Sequence, residues 1–260
     1  YIMGENPVMT DPDLNHTEKA LEELEFLVVQ DIFHTETTAF ADVILPASSF
    51  AEKDGTFVNS DRRTLRVRKA VEMPGQAEED WKIIEKIAGR MGYSLGNYQN
   101  AREIFEEIRQ ATPIMAGITY KRIDQEGLQW PCPDTTHPGT KTLFLDGFNT
   151  SDGKALLNPV EFAEQTELPS REFPFVLNTG RILYHYHTAT MSRKNKALTA
   201  FANETFVLMN RNDVQKNGFS DGEKVKISNR RGEVETYVRA SDHVAEGELF
   251  MPFHYNESRV

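Results

Sequence analysis

The chain has 260 residues, 39% hydrophobic and 27% charged, a balance that fits one large or two modest folded domains and excludes an intrinsically disordered chain. Its net charge of −11 argues against non-specific nucleic-acid binding, and its single cysteine, Cys132, excludes a disulfide framework or an iron–sulfur cluster held by this segment alone. No apolar run reaches the ~18 residues that span a membrane and no leader-like segment opens the chain, so a cytoplasmic protein without a membrane segment is expected.

The first part alternates helices and strands. Residues 15–25 are rich in helix formers and place Ala20, Leu21 and Leu24 on one face. An apolar strand is expected over 25–30 and another over 41–45, stopped by Pro46, both reading as strands buried on two faces. Short β segments follow over 56–59 and 65–71, around a turn at Ser60-Asp61. Asp80 is the expected cap of a helix carrying Trp81, Ile84, Ile87, Ala88 and Met91, with Gly92 at its end. Asn100 and Glu103 form a capping-box-like pair ahead of Ile104, Phe105 and Ile108, and Pro113 ends that helix. This alternation predicts an open, mostly parallel sheet in a partial three-layer α/β domain over 1–112. Residues 113–169 read as an ordered connector. From 170 the pattern turns to β, with strands expected over 173–178, 205–209, 224–229, 233–239 and 248–253 and one short helix over 212–217, which suggests a small β-barrel.

The charge is uneven. Residues 160–260 carry 13 Lys and Arg against 14 Asp and Glu, leaving 16 against 26 of the totals of 29 and 40 for residues 1–159. The later part is the better seat for an anionic ligand.

Three segments carry candidate chemistry. In the first, Met3-Gly4-Glu5-Asn6-Pro7, Gly4 permits close backbone approach to a ligand. In the second, Gln30, Asp31 and Thr35 stand just past the end of an apolar strand, where open α/β sheets bind ligands. Asp31 could accept from the N–H groups of a guanine edge or could cap the next turn, and Asp42 has the same ambiguity. The third runs from Asn178 to Thr188. It offers the Thr179 hydroxyl, the open backbone of Gly180, the Arg181 guanidinium as a fork for phosphate, His185 and His187, then Thr188. It suits a ligand bearing phosphate and pterin, with a metal site at the His pair or a solvated basic loop as the rival readings. His254 and Asn256 close a late strand as a further donor pair, and Cys132 in Trp130-Pro131-Cys132-Pro133 reads as structural.

Taken together, the segments at 3–7, 30–46, 55–62 and 179–192 resemble the molybdenum and tungsten bis-pterin oxidoreductases, the dimethyl-sulfoxide-reductase superfamily, in order and spacing over nearly the whole chain. The stretch Gly127-Leu128-Gln129-Trp130-Pro131-Cys132-Pro133 is similar to the formate dehydrogenase branch. The resemblance implies part of a catalytic subunit that oxidises formate to carbon dioxide at a metal, Mo or W, held by two molybdopterin guanine dinucleotides. Electrons would pass to a 4Fe–4S cluster and on to electron-transfer subunits. It also implies that Glu5, Asn6, Gln30, Asp31, Thr35 and Asp42 hold one guanine dinucleotide. Thr179, Gly180, Arg181, His185, His187 and Thr188 would face pterin and phosphates, joined by His254 and Asn256, and residues 170–260 would form a six-stranded double-psi β-barrel. The family's cluster cysteines, metal ligand and catalytic His and Arg are expected upstream of Tyr1, and its usual tail beyond Asn256, so this polypeptide is expected to be inactive alone. A fragment of a nitrate-reductase-like relative, or a subunit that kept the fold and lost the cofactor, are the alternative readings.

Overall fold

The structure, a computed structural model, describes residues 1–163 and 167–255. These fall into two compact units: residues 1–44 with 163–260, and residues 45–162.

In the first unit, β1 (Ile2–Met3) runs parallel to β2 (Val28–Asp31), pairing Ile2 with Val29 and Met3 with Gln30. Between them stand α1 (Pro7–Thr10) and α2 (Leu14–Glu22). β3 (Val43–Pro46) completes a sheet ordered β1-β2-β3. Val29 is fully buried and Leu27 nearly so, as the apolar run at 25–30 requires. The apolar face expected on the 15–25 helix is not a buried face: α2 stops at Glu22, buries none of its residues, and leaves Leu24 49% exposed beyond its end.

The rest of this unit is one curled sheet of five strands: β7 (Val176–Gly180), β8 (Phe206–Asn210), β9 (Lys224–Ser228), β10 (Glu233–Ser241) and β11 (Glu248–Pro252), in the order β7-β11-β8-β10-β9. The sheet is mixed. β10 runs parallel to β8 and β11 parallel to β7, while β9 and β10 form an antiparallel hairpin around Arg230-Arg231-Gly232. β10 alternates buried and exposed residues along most of its length, burying Val234, Thr236 and Val238 on one face. The core under it joins Val207, Met209, Val238 and Leu249 with Val214 of α6 (Arg211–Lys216). A second short helix, α5 (Lys196–Phe201), precedes β8, where a single helix was expected; Asn195 caps it, accepting from the N–H groups of Ala197 and Leu198.

In the second unit, β4 (Gly55–Val58), β5 (Arg63–Val67) and β6 (Leu128–Gln129) form an antiparallel sheet. Over 1–112 the sheets are mixed: β1 and β2 pair in parallel, Ala47 and Glu78 form a parallel bridge, and residues 55–67 form an antiparallel hairpin turned at Asp61-Arg62. α3 (Asp80–Arg90) has Glu79, not Asp80, at its N-cap position, without a capping side-chain hydrogen bond, and it buries Ile83 while Ile84 is 36% exposed and Met91 80%. The Ile83-Ile84 pair fits a helical stripe in two registers, and packing selects the other one. α4 (Ala101–Ala111) begins where Asn100 accepts from the Glu103 N–H, as the capping pattern required. The first part of the 113–169 stretch carries core residues. Ile118, Tyr120, Ile123 and Cys132 pack with Phe105 of α4 into the core of this unit, so Cys132 is a buried structural thiol.

Candidate functional site

The three candidate segments come together in the first unit, pinned by side chains that cross long stretches of sequence. Asn6 is the hub. Its amide oxygen accepts from the Thr37 N–H at 3.2 Å and from the Thr37 hydroxyl at 2.7 Å, and its amide nitrogen donates to Glu36 Oε2 at 2.9 Å and Thr190 Oγ1 at 3.0 Å. Lys194 Nζ adds a 3.0 Å bond to the His34 carbonyl. Asn6 therefore joins the first, second and third segments, and its polar atoms are spent inside the protein.

A cavity of about 570 Å³ opens at this junction. Thr179, His187 and Thr188 line it from the third segment, and Glu5 from the first. Asp11, Asp13 and Asn15, from the end of α1 and the start of α2, contribute carboxylates and an amide. Arg231 enters from the β9–β10 turn, and Phe253 and Tyr255 supply ring surface. Neither Gln30, Asp31, Thr35 nor Asp42 lines this cavity. Gln30 is fully buried and receives the Tyr1 hydroxyl, while Asp31 accepts from the Ile32 N–H at 2.6 Å. Asp42 accepts from the Leu27 N–H at 2.7 Å and fastens the start of β3 to the segment leading into β2. The Thr35 hydroxyl is buried without a partner. Gly4, at φ +65°, turns the chain out of β1 and donates its N–H to the Gln30 carbonyl at 2.9 Å.

The third segment owes its shape to what lies under it. β7 delivers Thr179 and Gly180 to the sheet edge; a Cβ on Gly180 would meet the Phe250 ring at 2.5 Å, so only glycine fits against β11. His254 is fully buried. Its Nε2 accepts from the Ile182 N–H at 2.8 Å and its Nδ1 donates to the His187 carbonyl, which fixes the tautomer. Burial pushes its pKa below the ordinary value of 6.5, with the charges of His185 and Arg181 acting the same way and the His187 carbonyl opposing them. His185 is also interior, its ring bridging Ser192 Oγ at 3.1 Å and the Ala202 carbonyl at 2.7 Å. These two histidines hold the loop from beneath. His187 is exposed at φ +51°, with Arg181 NH2 3.4 Å from its Nε2. Thr188 and Thr190 approach at 3.3 Å through their hydroxyls. Among the described residues, no three His, Cys, Asp or Glu side chains gather as a metal set. Asn256 lies outside the described residues.

Sequence reasoning did not find Asp11, Asp13, Asn15, Arg231, Phe253 or Tyr255. Arg231 sits in a turn that reads only as a hairpin connection; it enters the cavity because Asn15 Nδ2 binds its carbonyl at 3.1 Å and Glu167 its guanidinium at 2.7 Å.

Two family models match the chain: "Molybdopterin oxidoreductase" over residues 1–90 and "Molydopterin dinucleotide binding domain" over residues 175–260. The chain is 51% identical over 99% of its length to the F420-dependent formate dehydrogenase subunit alpha of Methanocaldococcus jannaschii, and 38% identical over 98% to formate dehydrogenase H of Escherichia coli. It is 36% identical over its whole length to the assimilatory nitrate reductase catalytic subunit of Bacillus subtilis. It covers 38%, 36% and 38% of these relatives, so it spans little more than a third of their length. Among solved structures, the acetylene hydratase of Pelobacter acetylenicus shares the fold, with a TM-score of 0.77 at 17% identity, covering 97% of this chain and 36% of that one. Matched at both ends by these two models and along its length by such relatives, the chain is similar to a part of the molybdopterin oxidoreductases.

Proposed function

We propose that the protein of which this chain is a part oxidises formate to carbon dioxide, and that the cavity between Glu5, Thr179, His187 and Thr188 receives part of a molybdopterin guanine dinucleotide. The observation that carries the reading is the meeting of these four residues in one cavity, together with 51% identity to a formate dehydrogenase alpha subunit.

The donor set fits such a group. Thr179, Thr188 and His187 offer hydrogen bonds to phosphate or pterin oxygens, and Arg231 adds a guanidinium. Glu5, Asp11 and Asp13 can accept from the N–H groups of a guanine or pterin edge, since carboxylates pair with such donors. Phe253 and Tyr255 give flat apolar surface for a ring system. Arg181, beside His187, would add charge at the phosphates. His185 and His254 act one layer down, holding the 181–188 loop. Gly4, Asn6 and Gly180 set the backbone; Gln30, Asp31 and Thr35 stand at the carboxyl end of β2, where a different part of the cofactor would lie, and Asp42 stands at the other end of that strand, on Leu27. The cofactor, when bound, supplies two-electron redox chemistry at its metal. This chain contributes binding and orientation, and is inactive alone.

The finer reading extends to Mo or W at the centre, a 4Fe–4S cluster and electron-transfer subunits in the whole protein, and a cytoplasmic location. It divides the chain into an α/β domain at 1–112, a connector at 113–169 and a dinucleotide-binding domain at 170–260. The five described strands of the curled sheet would gain a sixth and close as a double-psi barrel. No helix among the described residues is long and apolar enough to cross a membrane.

Formate-dependent reduction of a redox dye, or of F420, by the full-length protein tests the proposal. Activity with formate and none with nitrate is expected. The likeness to a nitrate reductase supplies the second reading, and nitrate reduction without formate oxidation would establish it instead.

A further inference from the structure

We propose that the second unit binds a tetrahedral oxyanion of the phosphate class at the amino-terminal end of α4, through Arg66, Tyr120, Arg102 and Lys121. A cavity of about 410 Å³ opens there between β5, the first turn of α4 and residues 120–124. Two buried donors at this cavity meet no protein acceptor: Nε of Arg66 and the hydroxyl of Tyr120. Tyr120 is only 7% exposed, and the Arg66 guanidinium lies 4.0 Å from the centroid of its ring. The donors are thus fixed by stacking and by the core beneath. Leaving a buried donor unmet costs folding free energy, and two of them on residues that line one cavity call for a ligand.

The helix supplies a second reason. The Asn100 side chain is spent on Glu103, and Ala101 and Arg102, whose N–H groups belong to the positive end of an eleven-residue helix, line the cavity. The Arg102 and Lys121 side chains reach it from the exposed surface without a carboxylate partner among the described residues. Asp54 and Asp124 also line it. Asp54 accepts from the Lys69 N–H at 3.3 Å, and Asp124 pairs with Arg68 at 2.7 Å and Arg66 at 3.4 Å. Arg66, Arg102 and Lys121 against these two carboxylates leave a net positive lining, inside a stretch of chain with a large excess of acids. Burial pushes the Tyr120 hydroxyl pKa up, so it stays protonated and can donate at neutral pH. The donors arrive from three separate elements. A planar carboxylate offers them two oxygens, a phosphate four.

Equilibrium dialysis of radiolabelled inorganic phosphate against the full-length, cofactor-loaded protein tests this, because the pterin cradle is then filled. One equivalent should bind, weakened by added sodium chloride and not displaced by equal acetate. Tyr120→Phe, which keeps the ring, and Arg102→Ala, at an exposed position that leaves the core intact, should each weaken binding about tenfold with native melting behaviour. Absence of saturable binding, displacement by equal acetate, or undiminished binding in both variants would overturn the proposal.

Discussion

His254 shows how one buried side chain shapes a site it does not line. Because Nε2 accepts from the Ile182 N–H, protonating the ring removes an acceptor as well as burying a charge. Its folded pKa is depressed below 6.5, so the unfolded chain binds the extra proton first as pH falls. Stability from this residue is therefore fully present above 6.5 and is lost as pH drops beneath it. Thermal melts should show that decline, and His254→Gln should flatten it while lowering stability at neutral pH. Asn6 acts in the same way. Asn6→Ala removes four hydrogen bonds between segments and should cost about 2–4 kcal/mol in denaturant unfolding, with loosened cofactor retention. At this scale the sequence was partly legible. Thr179, His187, Thr188 and Glu5 announced themselves by residue type after a strand or a glycine. Asn6, His185 and His254 were chosen for the same donors but are turned inward, since their partners lie up to 184 positions away and no local pattern reveals them.

Among the elements, β7 and β11 set the edge that presents Thr179. Their close approach rests on Gly180, so Gly180→Ala should displace Phe250 and cost about 1–3 kcal/mol, which Phe250→Leu should partly restore. Equilibrium unfolding of the two variants measures both. Asn100→Ala should cost about 1 kcal/mol through the lost α4 cap, seen in the same assay. Strands with clear alternation, such as β10, and the capped helix α4 were readable because burial period and cap chemistry agree. The turn between β4 and β5 was readable too; the pairing of β5 with β6 was not, because local propensity names no partner far along the chain. α5, six residues without an apolar stripe, gave no periodic signal; its cap, Asn195, follows a cationic run that reads as loop.

Across the whole molecule, the first 44 residues fall into one compact unit with described residues from 167 onward. That grouping is what creates the cavity, because α1 and the start of α2 must meet β7 and the β9–β10 turn. Hydrophobic periodicity describes faces, not which distant face they meet, so Asp11, Asp13 and Arg231 were invisible in the sequence. The family resemblance supplied the order of segments but not their contacts. In the proposed function this junction holds a guanine dinucleotide. Full-length protein carrying Thr179→Ala, His187→Ala and Thr188→Ala together should fold, yet yield far less guanine nucleotide per chain than the unsubstituted protein when its bound cofactor is hydrolysed and quantified by chromatography. An unchanged nucleotide content in the triple variant would contradict the claim.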